Sequence, residues 1–257
     1  MTRVLVTNDD GIDSPGIACL ALAALDAGLT VVLAAPIAEA SGSSASITAH
    51  EEDGRVYVEQ RNLPSLPDLE AYAVAAPPAL ITLIATRGAF GEPPDLVLSG
   101  INRGANTGHA ILHSGTVGAA LTAAANGRPA LAASLDVGLS PAGLPHWEAP
   151  ARFVRDLVPV LRRLDEPVVL NLNAPDIPAD QVRGLRHATL ASFGMVQTNI
   201  EVDSGYVRME VVDETSLHEP GTDAALLTEG YATVTAISPI FELTRVDLDG
   251  VVERVNP

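Results

Sequence analysis

The chain opens on a strand, an acidic turn, a helix and a second strand, and few architectures accept that order. Arg3-Val4-Leu5-Val6-Thr7 is a short apolar run bounded by turn residues, the pattern of a buried strand. Pro15–Asp26 has helical apolar spacing closed by Gly28, and Thr30–Ala35 reads as a second buried strand. Apolar strands alternating with helices call for a parallel sheet covered on both faces. Open sheets of that kind bind ligands at the carboxyl ends of their strands. The turn Asn8-Asp9-Asp10-Gly11 places two adjacent carboxylates at the first such end. Two acids there repel each other, and burying them unpaired is costly. A hard divalent cation with oxygen ligands is the ordinary remedy. Helix capping is the competing explanation, but Asp13 or Ser14 before Pro15 already supplies that signal.

The alternation continues. A helix is expected from about Pro78 to Arg87, a strand over Asp95–Leu98, a helix over Ser114–Ala125 and a strand over Pro129–Leu135. An amphipathic helix over Trp147–Leu164 and a strand over Val168–Leu172 follow. This order predicts an α/β fold, a doubly wound and mostly parallel sheet. Residues 1–175 form the expected core, with a hairpin insertion at about 47–72 around Asp53-Gly54. After Pro175 the character changes. Gly184–Ala191, Tyr206–Val212, Tyr231–Ile237 and Phe241–Val246 read as strands with little helical signal between them. Residues 176–257 are therefore expected to be a β-rich portion whose exposed edges pair with another protomer.

Composition narrows the chemistry. At 257 residues and 47% hydrophobic, the chain can bury a large core. Its formal charge of −17 disfavours a nucleic-acid duplex as partner, because phosphate backbones demand basic surface. A small phosphorylated substrate stays compatible, since a bound cation reverses the sign locally. Lysine is absent and all 15 basic residues are arginine, which removes P-loop and Schiff-base chemistry. No G-x-G-x-x-G follows the first strand, which argues against a nicotinamide-dependent dehydrogenase. The single cysteine, Cys19, excludes an intrachain disulfide and reads as apolar filler. No stretch reads as a signal peptide or membrane span, so the expectation is a cytoplasmic protein with no membrane partner.

Three further segments fall at the same sheet edge as the acidic pair. Ser41-Gly42-Ser43-Ser44 is a small-residue loop whose amides can approach an anion and whose hydroxyls can join a cation's oxygen shell. Ser99-Gly100-Ile101-Asn102-Arg103-Gly104-Ala105-Asn106 offers Asn102 as a neutral hard ligand. His113-Ser114-Gly115-Thr116-Val117 opens a helix, whose first N–H groups form an anion site. Each also has a plain reading, as flexible loop, turn or ordinary cap.

Taken together, these four pieces resemble the survival protein SurE family, a group of metal-dependent phosphatases acting on nucleoside monophosphates. The likeness runs through T-N-D-D-G at Thr7–Gly11, Pro15-Gly16-Ile17, Ser41-Gly42, S-G-I-N-x-G-x-N at Ser99–Asn106 and S-G-T-V at Ser114–Val117. Asn171-Leu172-Asn173-Ala174-Pro175 and the stretch Gly230–Thr235 extend it. The resemblance implies a Rossmann-like core, a C-terminal oligomerising portion and a homodimer or homotetramer. It implies one divalent cation per subunit, Mg²⁺ or Mn²⁺ with Ca²⁺ as an alternative occupant, held by Asp9, Asp10, Ser41 and Asn102. Asp9, Asp10 and Asn102 are the expected catalytic residues. Asn8, Gly42, Ser43, Asn106, Ser114, Gly115 and Thr116 are expected to bind substrate or phosphate. One aspartate is a candidate nucleophile or general base, and His109 and His113 are candidate acids.

The chain also departs from the family pattern. Ile37 and Glu39 stand where an acid and an amide are usual, and Ala76 and Ala79 where a hydroxyl and an acid are usual. Thr122 replaces an acid in the helix after S-G-T-V, and His109 lies where aspartate is frequent. Two functions are therefore weighed: hydrolysis of a nucleoside monophosphate, and binding of metal and nucleotide without turnover.

Overall fold

The computed structural model describes residues 1–49, 51–138, 143–164, 166–192, 196–203, 206–213 and 219–242. Its frame is a nine-stranded sheet in the order β10-β13-β9-β8-β7-β1-β2-β6-β5. The central strands are β1 (Arg3–Thr7), β2 (Thr30–Pro36), β6 (Leu66–Val74), β7 (Leu96–Arg103), β8 (Ala130–Asp136) and β9 (Val169–Pro175). All six run parallel to one another. The edges are antiparallel additions: β5 (Val58–Leu63) lies against β6, and β13 (Ala232–Ile237) against β9. The short β10 (Leu185–His187) then lies parallel to β13.

Helices cover both faces, as period-two burial of the strands requires. Val4 and Val6 face a core shared with Ile17 and Leu20 of α1 (Pro15–Asp26) and Phe153 and Val154 of α4 (Glu148–Leu161). Leu5, between them, faces the other core, with Ile81 of α2 (Pro78–Thr86) and Val117 of α3 (Gly115–Ala125). Gly16 is what lets α1 close on the sheet, since a Cβ there would stand 2.1 Å from the carbonyl oxygen of Ile101.

The core elements expected from the sequence are all present, with ends shifted by a few residues. Two regions differ. The hairpin at Asp53-Gly54 joins only β3 (Glu51–Glu52) and β4 (Arg55–Val56). The longer hairpin turns between Leu63 and Leu66, and its second strand is no insertion: β6 pairs parallel with β2 inside the main sheet. The sheet also continues through the boundary expected at Pro175. Of the strands expected beyond it, the stretches at 184–191 and 231–237 contribute β10 and β13 and close on the chain's own sheet. The edge of β9 therefore needs no partner protomer. Tyr206–Val212 is found as β12 (Tyr206–Asp213), paired antiparallel with β11 (Val196–Asp203) in a separate ribbon. Helix α5 (Asp223–Thr228) was not expected, although Thr222 caps it through its side chain. The strand expected over 241–246 lies outside the described residues from 243 onward, and Phe241 and Glu242 are in no strand.

Candidate active site

The connection from β1 through α1 leads to β2 on one side, whereas β7 lies on the other side of β1. The chain reverses its winding direction at that point, and the crevice opens there, at the carboxyl ends of β1 and β7. Asp9 and Asp10 follow β1, and Asn102 lies one residue before the end of β7. The sheet thus brings the three expected catalytic residues to one crevice. The β7–β8 register shifts between Ser99 and Asn102, and pairing resumes with Asn102 opposite Ser134.

Asp9 is 5% exposed, and burial drives its carboxyl above the usual carboxylate range. The hydroxyl of Thr116 donates to its Oδ1, and the amides of Gly115 and Thr116 act in the same, opposing sense without overcoming burial. Asp10 is pushed up to about 6, first by burial and then by the charges of Asp9 and Glu39. The Arg103 amide donates to Asp10 Oδ2 at 3.0 Å and pulls the other way. Both aspartates therefore resist ionising in the protein alone, which is the condition a cation relieves.

The remaining donors are neutral. Asn102 gives its Nδ2 hydrogen to the Gly104 carbonyl at 2.8 Å, which leaves Oδ1 as its ligand end. The hydroxyl oxygen of Ser43 is buried and has no hydrogen-bond partner among the described residues. It lies beside Asp9: a Cβ at Gly115 would stand 2.6 Å from Ser43 Oγ and 2.7 Å from Asp9 Oδ2. Glycine at 115 keeps that space open. Among the described residues no three His, Cys, Asp or Glu converge. Two carboxylates completed by neutral oxygens suit Mg²⁺ or Mn²⁺, which keep several waters. The donor set and the orphaned hydroxyl fit a hard divalent cation.

The structure also places the other expected residues. Ser41 is exposed and donates to Glu39 Oε1 at 2.5 Å, and the Glu39 charge in turn reaches Asp10. Asn8 is fully buried, and its amide braces the β1–α1 turn by donating to Gly11 O and Ser14 Oγ and accepting from the Gly11 amide. Ser114 caps α3, accepting from the Val117 amide at 3.1 Å. Gly42 has positive φ with open space around it. His109 and His113 are exposed on a 3₁₀ turn over Gly108–His113. Thr122 is turned back on its own helix, donating to Gly118 O.

Asn106 belongs to a bracket the sequence did not reveal. Its amide N–H donates to Asn173 Oδ1 at 2.7 Å, its side chain to Ser134 Oγ, and its carbonyl accepts from both Asn171 and Asn173. The N-x-N spacing on β9 puts both asparagines on one face, which was the available signal. Asp223 is the second residue missed. It accepts from the amides of Gly108, Ala191 and Ala224 at 2.8–2.9 Å and so ties the 3₁₀ turn to the C-terminal region.

Fold and site together define a class: doubly wound α/β proteins whose switch-point crevice presents oxygen ligands suited to a hard cation. The family model for survival protein SurE matches residues 4–196. The chain belongs to that family. It is 33% identical to the 5'-nucleotidase SurE of Dehalococcoides mccartyi, with 97% of this chain and 96% of that protein covered. It is 35% identical to the 5'-nucleotidase SurE of Nitratidesulfovibrio vulgaris, covering 91% and 92%. The crystal structure of SurE protein from Aquifex aeolicus superposes with a TM-score of 0.77 at 26% identity, over 99% of this chain and 100% of that one.

Proposed function

We infer that this protein is a nucleotidase, a phosphomonoester hydrolase that releases phosphate from nucleoside monophosphates with a divalent cation. The observation that carries the reading is the pair Asp9, buried, and Asp10, half-buried, both held toward their neutral forms and set beside an unpartnered serine hydroxyl. Relatives named as 5'-nucleotidases support the substrate class.

In this reading Asp9, Asp10 and Asn102 Oδ1 hold the cation. When bound, it neutralises phosphate charge and acidifies a coordinated water. Thr116 fixes the orientation of Asp9 through its hydroxyl. Gly115 keeps side-chain atoms away from Ser43 Oγ, and that unpartnered hydroxyl is left to meet a phosphoryl oxygen. The Ser43 hydroxyl donates there, and the amides at the start of α3 stabilise negative charge. The asparagine bracket holds Asn106 and the 104–107 loop against the sheet, so that Asn102 keeps its position. Mg²⁺ and Mn²⁺ are the ions we propose. Phosphate release from nucleoside monophosphates, with either ion and with a chelator, tests the reading. Chelator-sensitive release is expected; ligand-induced thermal stabilisation with no release under any condition would make the protein a binder instead.

The β11–β12 ribbon pairs with no other described strand, and an isolated two-stranded ribbon has marginal stability. We assign it to an interface between copies of the chain, giving a homodimer or homotetramer. Light scattering checks this, and a monodisperse 26.6 kDa species at micromolar concentration would count against it.

A further inference from the structure

Glu39 stands at the rim of the crevice and takes no part in the reading above. Its segment is strapped to the acidic turn: the Ile12 amide donates to Pro36 O at 2.9 Å and the Ala40 amide to Asp9 O at 2.7 Å. A Cβ at Gly11 would stand 3.6 Å from Glu39 N, so the two backbones lie side by side. On the other side the Ile37 amide donates to Val74 O at 3.0 Å, and the Ser43 amide closes the loop on Ala40 O at 3.2 Å. Within this fixed frame the exposed Glu39 carboxylate accepts from Ser41 Oγ at 2.5 Å, the length of a charge-assisted O–H···O⁻ bond. Glu39 forms no ion pair among the described residues. Its charge reaches Asp10, where that of Arg103 opposes it. It is no third ligand, because no three His, Cys, Asp or Glu converge among the described residues.

The acid acts through Ser41. A hydroxyl has one hydrogen and two lone pairs, and the bond its hydrogen makes decides where the lone pairs point. With the hydrogen given to Glu39, the lone pairs of Ser41 Oγ are free and its oxygen is more electron-rich. In that state a hydroxyl best joins the oxygen shell of a hard cation. Ser41 directly follows the residue whose amide is bonded to the Asp9 carbonyl. We propose that Glu39 is a positioning residue for the cation site: it holds Ser41 Oγ as an oxygen donor and adds a rim charge that draws the cation in and repels an anionic substrate. The proposal rests on the nucleotidase reading above. Its two actions have opposite signs for cation and anion, which separates them from a plain structural contact, since a loosened loop would weaken both.

The test is a pair of binding measurements on the intact protein and its Glu39→Gln variant. Calorimetric titration with Mn²⁺ alone, in the absence of phosphate, is expected to show binding weakened about tenfold by the substitution, the usual cost of losing a partner that orients a metal ligand. In a Ser41→Ala background the same substitution should cost no more than about twofold, because the hydroxyl through which the acid acts has gone. Inhibition by inorganic phosphate at saturating Mn²⁺ is expected to move the other way. Glu39→Gln should tighten it about twofold at low salt, and the gain should vanish at high salt. Unchanged Mn²⁺ affinity in Glu39→Gln, an equal loss with and without Ser41, or weakened phosphate inhibition would each overturn the proposal while leaving the nucleotidase reading intact. A wild-type protein that neither binds Mn²⁺ nor releases phosphate from nucleoside monophosphates would overturn both.

Discussion

Asp9 and Asp223 are both buried carboxylates, 5% and 0% exposed, yet they are served very differently. Asp223 accepts three backbone N–H groups from three separate segments. Its charge is answered by the protein, and its work is to hold the 3₁₀ turn, the 191 loop and α5 together. Asp9 receives one full hydrogen bond, from the Thr116 hydroxyl, and only weaker help from three amides, its own among them, beside a second carboxylate that repels it. The lesson is that burial alone does not mark a reactive acid. A buried carboxylate short of donors points outward to a ligand, and one fully supplied with donors points to architecture.

The sharpest break in this comparison comes from removing each acid in turn. Asp9→Ala or Asp10→Ala should lower phosphate release about 10³-fold or more, because a metal-assisted step loses several kcal/mol of charge stabilisation. Cation binding by calorimetry should vanish as well, while the cation-free protein melts no lower than wild type because a repulsion has gone. Undiminished turnover in both variants would remove the site. Asp223→Ala should do the reverse. Stranding three buried N–H groups costs about 3 kcal/mol, or a melting temperature lower by roughly 6–12 °C for a chain of this size. A melting temperature unchanged by that substitution would refute the architectural role.

A smaller effect separates the pair by pH. The Asp10 carboxyl lies at about 6 in the fold against an ordinary 3.8, so the folded protein holds this proton longer than the unfolded chain. The associated stability is complete below pH 3.8 and disappears as pH rises through 6. Thermal melts of cation-free wild type minus those of Asp10→Asn should show that loss, on the order of 1–2 kcal/mol after solvent screening. A divalent ion should abolish it. A flat difference across this range would contradict the raised acidity. The smallest effect is expected at Asn102→Ala, which should weaken cation binding about tenfold, less than either aspartate change, because a neutral ligand adds less attraction. A titration showing loss equal to that of Asp9→Ala would place Asn102 on a par with the acids.

Much of this was legible in the chain itself. Strand-helix alternation gave the parallel core, because apolar runs and helical spacing are local properties. Asp9 and Asp10 stood out because helix capping was already provided by Ser14 and Pro15. The far edge of the sheet was not legible. Whether 184–191 and 231–237 pair with this chain or another depends on long-range register, which alternation alone does not encode. The hydroxyls of the 41–44 loop were hard to tell apart for a related reason. A loop of four small residues offers several hydroxyls, and only folding shows that Ser43 is the one facing Asp9 while Ser41 turns to Glu39. Asp223 gave no cue, since an acid in the first turn of a helix usually belongs to capping.

The insertion of β13 between β9 and β10 also sets an order of assembly during synthesis. Thr233 lies opposite Asn173, and Thr235 opposite Asn171, on the strand that holds the Asn106 loop. Until residues 232–237 have left the ribosome, β9 is a bare edge, and the asparagines that brace the crevice stand on the outermost strand of the sheet. The acids at positions 9 and 10 are made well before the strand that seals their support. A nascent chain stalled before Ala232 thus still offers an unpaired edge to its neighbours on the same messenger.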